Sequence, residues 1–129
     1  MPAQILRYRS LWLVLGWLQV AGIIYLSLTS HPPPGPDLPN FDKIAHLGAY
    51  GLLMFWFCQI YPTWRMRTII SVSFVCMGIS LEFLQGWSGV RMFEYWDMVA
   101  NTAGVVLGGV MAMFVRKNFL SILESSISR

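Results

Sequence analysis

Three short stretches of this 129-residue chain carry side chains able to do chemistry. In FDKIAHLGAY, Asp42, His46 and Tyr50 recur every four residues, with Lys43 beside Asp42. On a helix those positions share one face. In GISLEFLQG, Glu82 and Gln85 stand three apart, and in RMFEYWDMVANTAG, Asp97 and Asn101 stand four apart behind Arg91 and Glu94. Carboxylates, an imidazole and a guanidinium are the groups that proton transfer and anion binding use. In the catalytic version, His46 or Glu82 is the general base, tuned by desolvation and by the other carboxylates. Arg91 then holds a phosphate or carboxylate of the substrate, Asp42 orients His46, and Asn101 and Gln85 donate hydrogen bonds. No Ser or Cys nucleophile stands beside a base, which argues against acyl-enzyme chemistry. Asp42, His46, Glu82 and Asp97 are competent ligands for a divalent cation. With a single cluster histidine and no HExxH-type pair, however, neither a metal nor a cofactor is expected.

These stretches sit in a strongly apolar chain. It is 56% hydrophobic, 15% aromatic and 12% charged, with mean hydropathy +0.56. A soluble domain carries about 25% charge, so a soluble globular enzyme is excluded, as are a disulfide-stapled secreted module and a disordered chain. The apolar residues form four runs, 11–28, 44–61, 69–87 and 98–115, each near the ~20 residues that cross a bilayer as a helix. Lipid offers exposed backbone groups no partners, so the runs must be helices. The expected fold is all-α, a single polytopic membrane domain over 1–129 built as a four-transmembrane-helix bundle. The first run exceeds the roughly 7–15 residues of a signal-peptide core and is read as a retained span. Pro32, Pro33, Pro34, Pro36 and Pro39 make the first connection a rigid external spacer, with His31 a solvated loop residue. Cys58 and Cys76 lack metal or CxxC spacing and are read as buried small hydrophobes. Residues 118–129 are read as a short surface helix or a disordered tail.

Net charge +3 and pI about 9.1 do not signal nucleic acid, because the basic residues fall in connections and termini instead of along a stripe. Arg7, Arg9, Arg65, Arg67, Arg116, Lys117 and Arg129 belong to one side, and only Lys43 and Arg91 to the other. The positive-inside rule therefore puts both termini in the cytoplasm and residues 31–43 and 88–97 outside. Of the nine basic and six acidic side chains, only Glu82 falls inside a run. At ~1.5 Å rise per residue it lies about 7 Å below Trp87, while His46 and Asn101 each lie about one turn inside their helices. All three polar stretches thus share an outer slab, and the inner halves are too apolar for a path across. Glu82 is expected to face the bundle interior with His46 or Arg91 as partner. Gly104 and Gly108 form a small-xxx-small stripe, and with Gly78 they permit close helix packing.

Together, DKIAHLGAYGLL, GISLEFLQG and Arg91 with YWDMVANTAGVVLGG resemble the VanZ-like family of small bacterial membrane proteins, over roughly residues 41–113. The matching elements run in order: Asp42-Lys43, His46, Tyr50, Glu82, Gln85, Arg91, Asp97, Ala100-Asn101 and Gly104. The resemblance implies a multi-pass protein of the bacterial cytoplasmic (inner) membrane. Through the family's naming member, it also implies a link to low-level resistance to the glycopeptide teicoplanin. It names no reaction, so whether the chain is an enzyme stays open. The leading reading is an envelope protein that binds, and in one version modifies, a lipid-linked or cell-wall-related molecule at the outer leaflet. Its partners would be the bilayer and that molecule, with oligomer formation open and no nucleic acid. The alternative is a structural or partner-docking subunit whose polar cluster only holds the helices together.

Overall fold

Each apolar run becomes a helix that starts and stops where local chemistry asks. A computed structural model describes residues 6–30, 35, 38–89, 92–115 and 118–127. Among them stand five helices and no strand: α1 (Arg9–Leu28), α2 (Phe41–Ile60), α3 (Trp64–Ser88), α4 (Tyr95–Phe114) and α5 (Phe119–Ile127). Asn40 precedes α2 in the left-handed region at φ 57°, a conformation asparagine tolerates. Thr63 caps α3 by accepting from Met66 N at 3.3 Å. Gly89 ends α3 at φ 74°, where a Cβ would be strained. At the end of α2, Arg67 donates to the carbonyls of Cys58 (2.7 Å) and Tyr61 (3.0 Å), satisfying groups the helix leaves open. The prolines at 32–34 and 36, and His31, lie outside the described residues.

Three of the helices, α1, α3 and α4, are long and apolar enough to cross a membrane. This differs from the four equivalent spans read from the sequence. Helix α2 has the same length as α1 and α4 but carries Asp42, Lys43 and His46 in its first two turns and Gln59 near its end. The reason is its place in the fold. Helix α2 is central, touched by α1, α3, α4 and α5; its buried residues concentrate in the second half, Leu53 to Ile60, while the polar first two turns lie at the open end of the bundle, where Asp42 and Ile44 are exposed. The outward faces of the others carry Val14, Leu18, Val72, Val106 and Met113, all exposed. Cys58 is buried as expected, but Cys76 is exposed on an outward face of α3, so the reading of both cysteines as buried holds for one.

The closest pairing is α2 with α4. A Cβ on Gly104 would stand 2.5 Å from the Leu47 carbonyl oxygen, and one on Gly108 would collide with the Gly51 carbonyl. Only glycine lets these two backbones meet. Leu53, Met54, Phe57, Phe74 and Val105 fill the core beside them. Helix α1 joins at its first half, where Gly16 lies against the Phe57 and Trp56 rings and Trp56 Nε1 donates to Trp12 O at 2.9 Å.

The C-terminal segment is helical and docked. Leu120 packs with Leu6, Trp12 and Ile60. Phe119 N donates to Gln59 Oε1 at 2.9 Å, and Asn118 Nδ2 to Gln59 O at 2.6 Å. Glu124 accepts from Arg7 N (2.9 Å), Tyr8 N (2.8 Å) and Trp12 Nε1 (2.7 Å), closing the start of α1.

Candidate functional site

The antiparallel order brings the end of α1, the start of α2, the end of α3 and the start of α4 to one end of the bundle. Gln85 Nε2 donates to Ser27 O at 2.6 Å, tying α3 to α1. Glu82 Oε1 accepts from Glu94 N at 2.7 Å, tying α3 to the first residues of α4. Lys43 ties α2 to α4. Its ammonium lies 2.7 Å from Asp42 Oδ2 and 2.6 Å from Asp97 Oδ1, and it also pairs with Glu94. The Asp97 contact is an ion pair without hydrogen-bond alignment. Carboxylate oxygens of Asp42, Glu94 and Asp97 come within 4.8 Å of one another, the spacing that could hold a cation. Lys43 supplies that counter-charge from within the chain.

His46 sits one turn deeper. Its Nδ1 lies 2.9 Å from Asn101 Oδ1. An amide oxygen only accepts, so Nδ1 carries a proton, and in the neutral ring Nε2 has the lone pair. Nε2 stands 3.8 Å from Asp97 Oδ2, beyond hydrogen-bond reach but close enough for an ion pair when the ring takes up a proton. The imidazole is thus oriented by Asn101, whereas Asp42, expected to orient it, turns to Lys43. Below it, Tyr50 is 2% exposed and its hydroxyl is buried with no hydrogen-bond partner. Gly78 makes room here: a Cβ on it would stand 3.1 Å from Asn101 Cβ and 3.4 Å from the Tyr50 ring.

Glu82 faces the interior as expected, at 1% exposure. The hydrogen bond described for it goes to the backbone of Glu94; none to His46 is seen among the described residues, and Arg91, the other expected partner, lies outside them. Gln85 is buried but serves the α1–α3 junction. Asp42, Lys43, His46, Asp97 and Asn101 do come together. Glu94 is the member that sequence reasoning left without a role. Its signal was its place one residue before α4 and three before Asp97, where a carboxylate suits a helix N-terminus.

Beside this cluster lies a cleft of about 390 Å³, lined by Ile23, Leu26 and Ser27 of α1, by Gly35 of the connection, and by residues from Phe41 to Tyr50 of α2, among them Asp42, Ala45, His46 and Ala49. The opposite end of the bundle carries Arg7, Arg9, Arg65 and Arg67 together with α5.

Apolar helices of spanning length with a polar cluster at one end define a membrane protein of the helical class. Over residues 4–116 the sequence matches the family described as VanZ/LLP1, and the chain belongs to this VanZ-like family. It is also similar to an uncharacterised protein of Schizosaccharomyces pombe, 29% identical over 90 residues that make up 67% of this chain and 56% of that protein. The chain therefore spans about half the length of the curated relative it matches. That relative is fungal, so similarity of this kind is not by itself a mark of a bacterial envelope. No solved structure matches the chain.

Proposed function

We propose that this VanZ-like protein crosses the cytoplasmic membrane four times, with α2 as the central span and both termini in the cytoplasm. Its polar end then faces the outer leaflet and binds a lipid-linked or other envelope molecule. The orientation is supported by the four arginines gathered at the end opposite Asp42, Glu82, Glu94 and Asp97. The binding reading rests on one observation above all. His46 is held by Asn101 through Nδ1, with Nε2 3.8 Å from Asp97 Oδ2, and His46 is among the residues that line a cleft. An imidazole fixed at one nitrogen can use the other to hold a ligand hydroxyl or move its proton, so His46 is the residue through which modification of the ligand would run.

Native mass spectrometry of the protein extracted with its own lipids tests this. Wild-type protein should carry a bound envelope molecule that His46→Gln and Asn101→Leu lose while melting temperatures stay close to wild type. Teicoplanin susceptibility of the producing cells is the phenotype to score beside it, given the family's naming member.

A second reading is favoured by Lys43, whose ammonium already pairs with three carboxylates. A cluster satisfied within the chain fastens helices without any ligand. In that case, substitutions lower stability and phenotype in parallel, and no bound molecule depends on His46.

A further inference from the structure

Helices α3 and α4 meet at the polar end and part toward the arginine end. Where they meet, a Cβ on Gly78 would stand 3.1 Å from Asn101 Cβ. Farther along, α4 turns Gly104 and Gly108 to α2, while a Cβ on Gly109 would meet only Met54 Cγ, at 3.9 Å. The space left between the two helices is a groove of about 340 Å³ over Met54, Cys58 and Val105. Those three are buried, whereas Val72, Val106, Val110 and Met113 along the rims are exposed. From Arg67 to Cys76 the groove runs about 13 Å along α3 at ~1.5 Å per residue, most of the ~15 Å depth of one hydrocarbon leaflet.

We propose that this groove seats one acyl chain of an anionic phospholipid, whose phosphate is held at the mouth by Arg67. The site lies at the other end of the bundle from His46 and needs no ligand there.

The chain follows from the surroundings. Both α3 and α4 are long and apolar enough to cross a membrane, so the groove opens to hydrocarbon. Water does not stay in an apolar space, and an empty one forfeits the contacts of its lining. The hydroxyls of Thr68 and Ser71 leave it apolar, because they donate to Trp64 O (2.9 Å) and Arg67 O (2.8 Å) of their own helix.

The head follows from charge. Arg67 donates through Nε to Tyr61 O and through Nη2 to Cys58 O. Both acceptors are neutral, and among the described residues no carboxylate pairs with this guanidinium. Its positive charge and its Nη1 donors are therefore left for an anion, and the planar fork suits phosphate. The bond to Tyr61 O, in the connection between α2 and α3, puts that charge at the membrane surface. Trp64, exposed on the same rim, belongs at the headgroup level that indoles favour. Arg65 adds a second exposed cation to this end, while Glu124 is engaged by the start of α1. Positive charge in surplus attracts an anionic head over a zwitterionic one, whose ammonium it repels.

The test is native mass spectrometry of the full-length protein in detergent, titrated with phosphatidylglycerol or phosphatidylcholine of the same acyl chains. The first phosphatidylglycerol should bind about fivefold or more tightly, the effect of one basic group at a lipid head. Arg67→Gln should erase the preference and Arg67→Lys should keep most of it. Arg7→Gln, whose guanidinium lies over the Tyr8 ring instead, should leave it unchanged. Gly109→Leu should weaken both lipids by filling the groove. Equal binding of the two lipids, a preference untouched by Arg67→Gln, or one lowered as much by Arg7→Gln overturns the proposal. Arg67 also closes the end of α2, so Gly109→Leu decides if Arg67→Gln fails to fold: unchanged binding of the first lipid in that variant overturns it. His46→Gln should bind phosphatidylglycerol as wild type does, which separates this site from the one at the polar end.

Discussion

Asn101 on α4 fixes the ring of His46 on α2, with Nδ1 and Oδ1 2.9 Å apart. The consequence is a defined tautomer. Nitrogen-15 spectra of histidine-labelled protein should show a protonated, pyrrole-type Nδ1 and a pyridine-type Nε2 for His46 at alkaline pH. The chain has two histidines, so His31→Gln leaves one signal to assign. Asn101→Leu should release the ring to a mixture of tautomers, and the reverse tautomer in wild type would refute the arrangement.

Gly104 and Gly108 are the tightest points of the bundle. Gly108→Ala should destabilise by about 1–3 kcal/mol, the usual effect of forcing an extra methyl into packed backbone. Gly48→Ala is the contrasting case, because a Cβ there meets nothing within 4 Å. It should be neutral or stabilising by up to ~1 kcal/mol through helix propensity. Thermal unfolding in one detergent reads both.

Removing the Lys43 ammonium leaves Asp42, Glu94 and Asp97 facing one another. Lys43→Gln should lower stability by about 1–3 kcal/mol, in keeping with the loss of charge-assisted bonds at a partly exposed site. It should also create a cation site where the side chain stood. Added manganese should then raise the melting temperature of Lys43→Gln and leave wild type unmoved.

Glu82 holds the backbone N–H of Glu94. Glu82→Gln keeps an acceptor oxygen and should fold normally. Glu82→Leu strands that N–H and should cost about 1–3 kcal/mol, with faster hydrogen exchange at Glu94. Equal exchange in the two variants would show that the bond does not hold the turn.

Burial of Glu124 works against its charged form, but the N–H groups of Tyr8 and Arg7 and the Trp12 indole outweigh it, holding the carboxyl below its usual value. An acid whose folded value is depressed stabilises the fold above its ordinary titration range and loses that contribution as pH falls through it. Docking of α5 should therefore persist at neutral pH and loosen in acid, below about 4.5, the ordinary value for this side chain. Hydrogen exchange over residues 119–127 measures it, and Glu124→Gln should show the loosened state at every pH.

Much of this molecule is legible in its sequence, for a physical reason. Long apolar runs must be helices in lipid, and the four-residue spacing of Asp42, His46 and Tyr50 fixes their common face before any neighbour is known. Asp97 and Asn101 follow the same logic on α4. Tertiary contacts decide the rest. Lys43 reads as a member of the polar cluster beside Asp42, but its partners Glu94 and Asp97 are known only once α4 brings them to it, and Asp42 then has a nearer partner than His46. Gln85 lies on the polar face of α3 yet is claimed by a carbonyl of α1. Glu124 caps a helix more than a hundred residues away in sequence, a pairing that no local pattern encodes.

The backbone contact at Gly51, Gly104 and Gly108 makes α2 and α4 behave mechanically as one strut. His46 and Asn101 ride on its two halves, so breathing of the bundle leaves their mutual geometry intact. Helix α1 is attached differently, through the Phe57 and Trp56 rings at Gly16 and through Gln85 of α3 at Ser27, so no side chain of α1 shares in the register that the glycine contact sets.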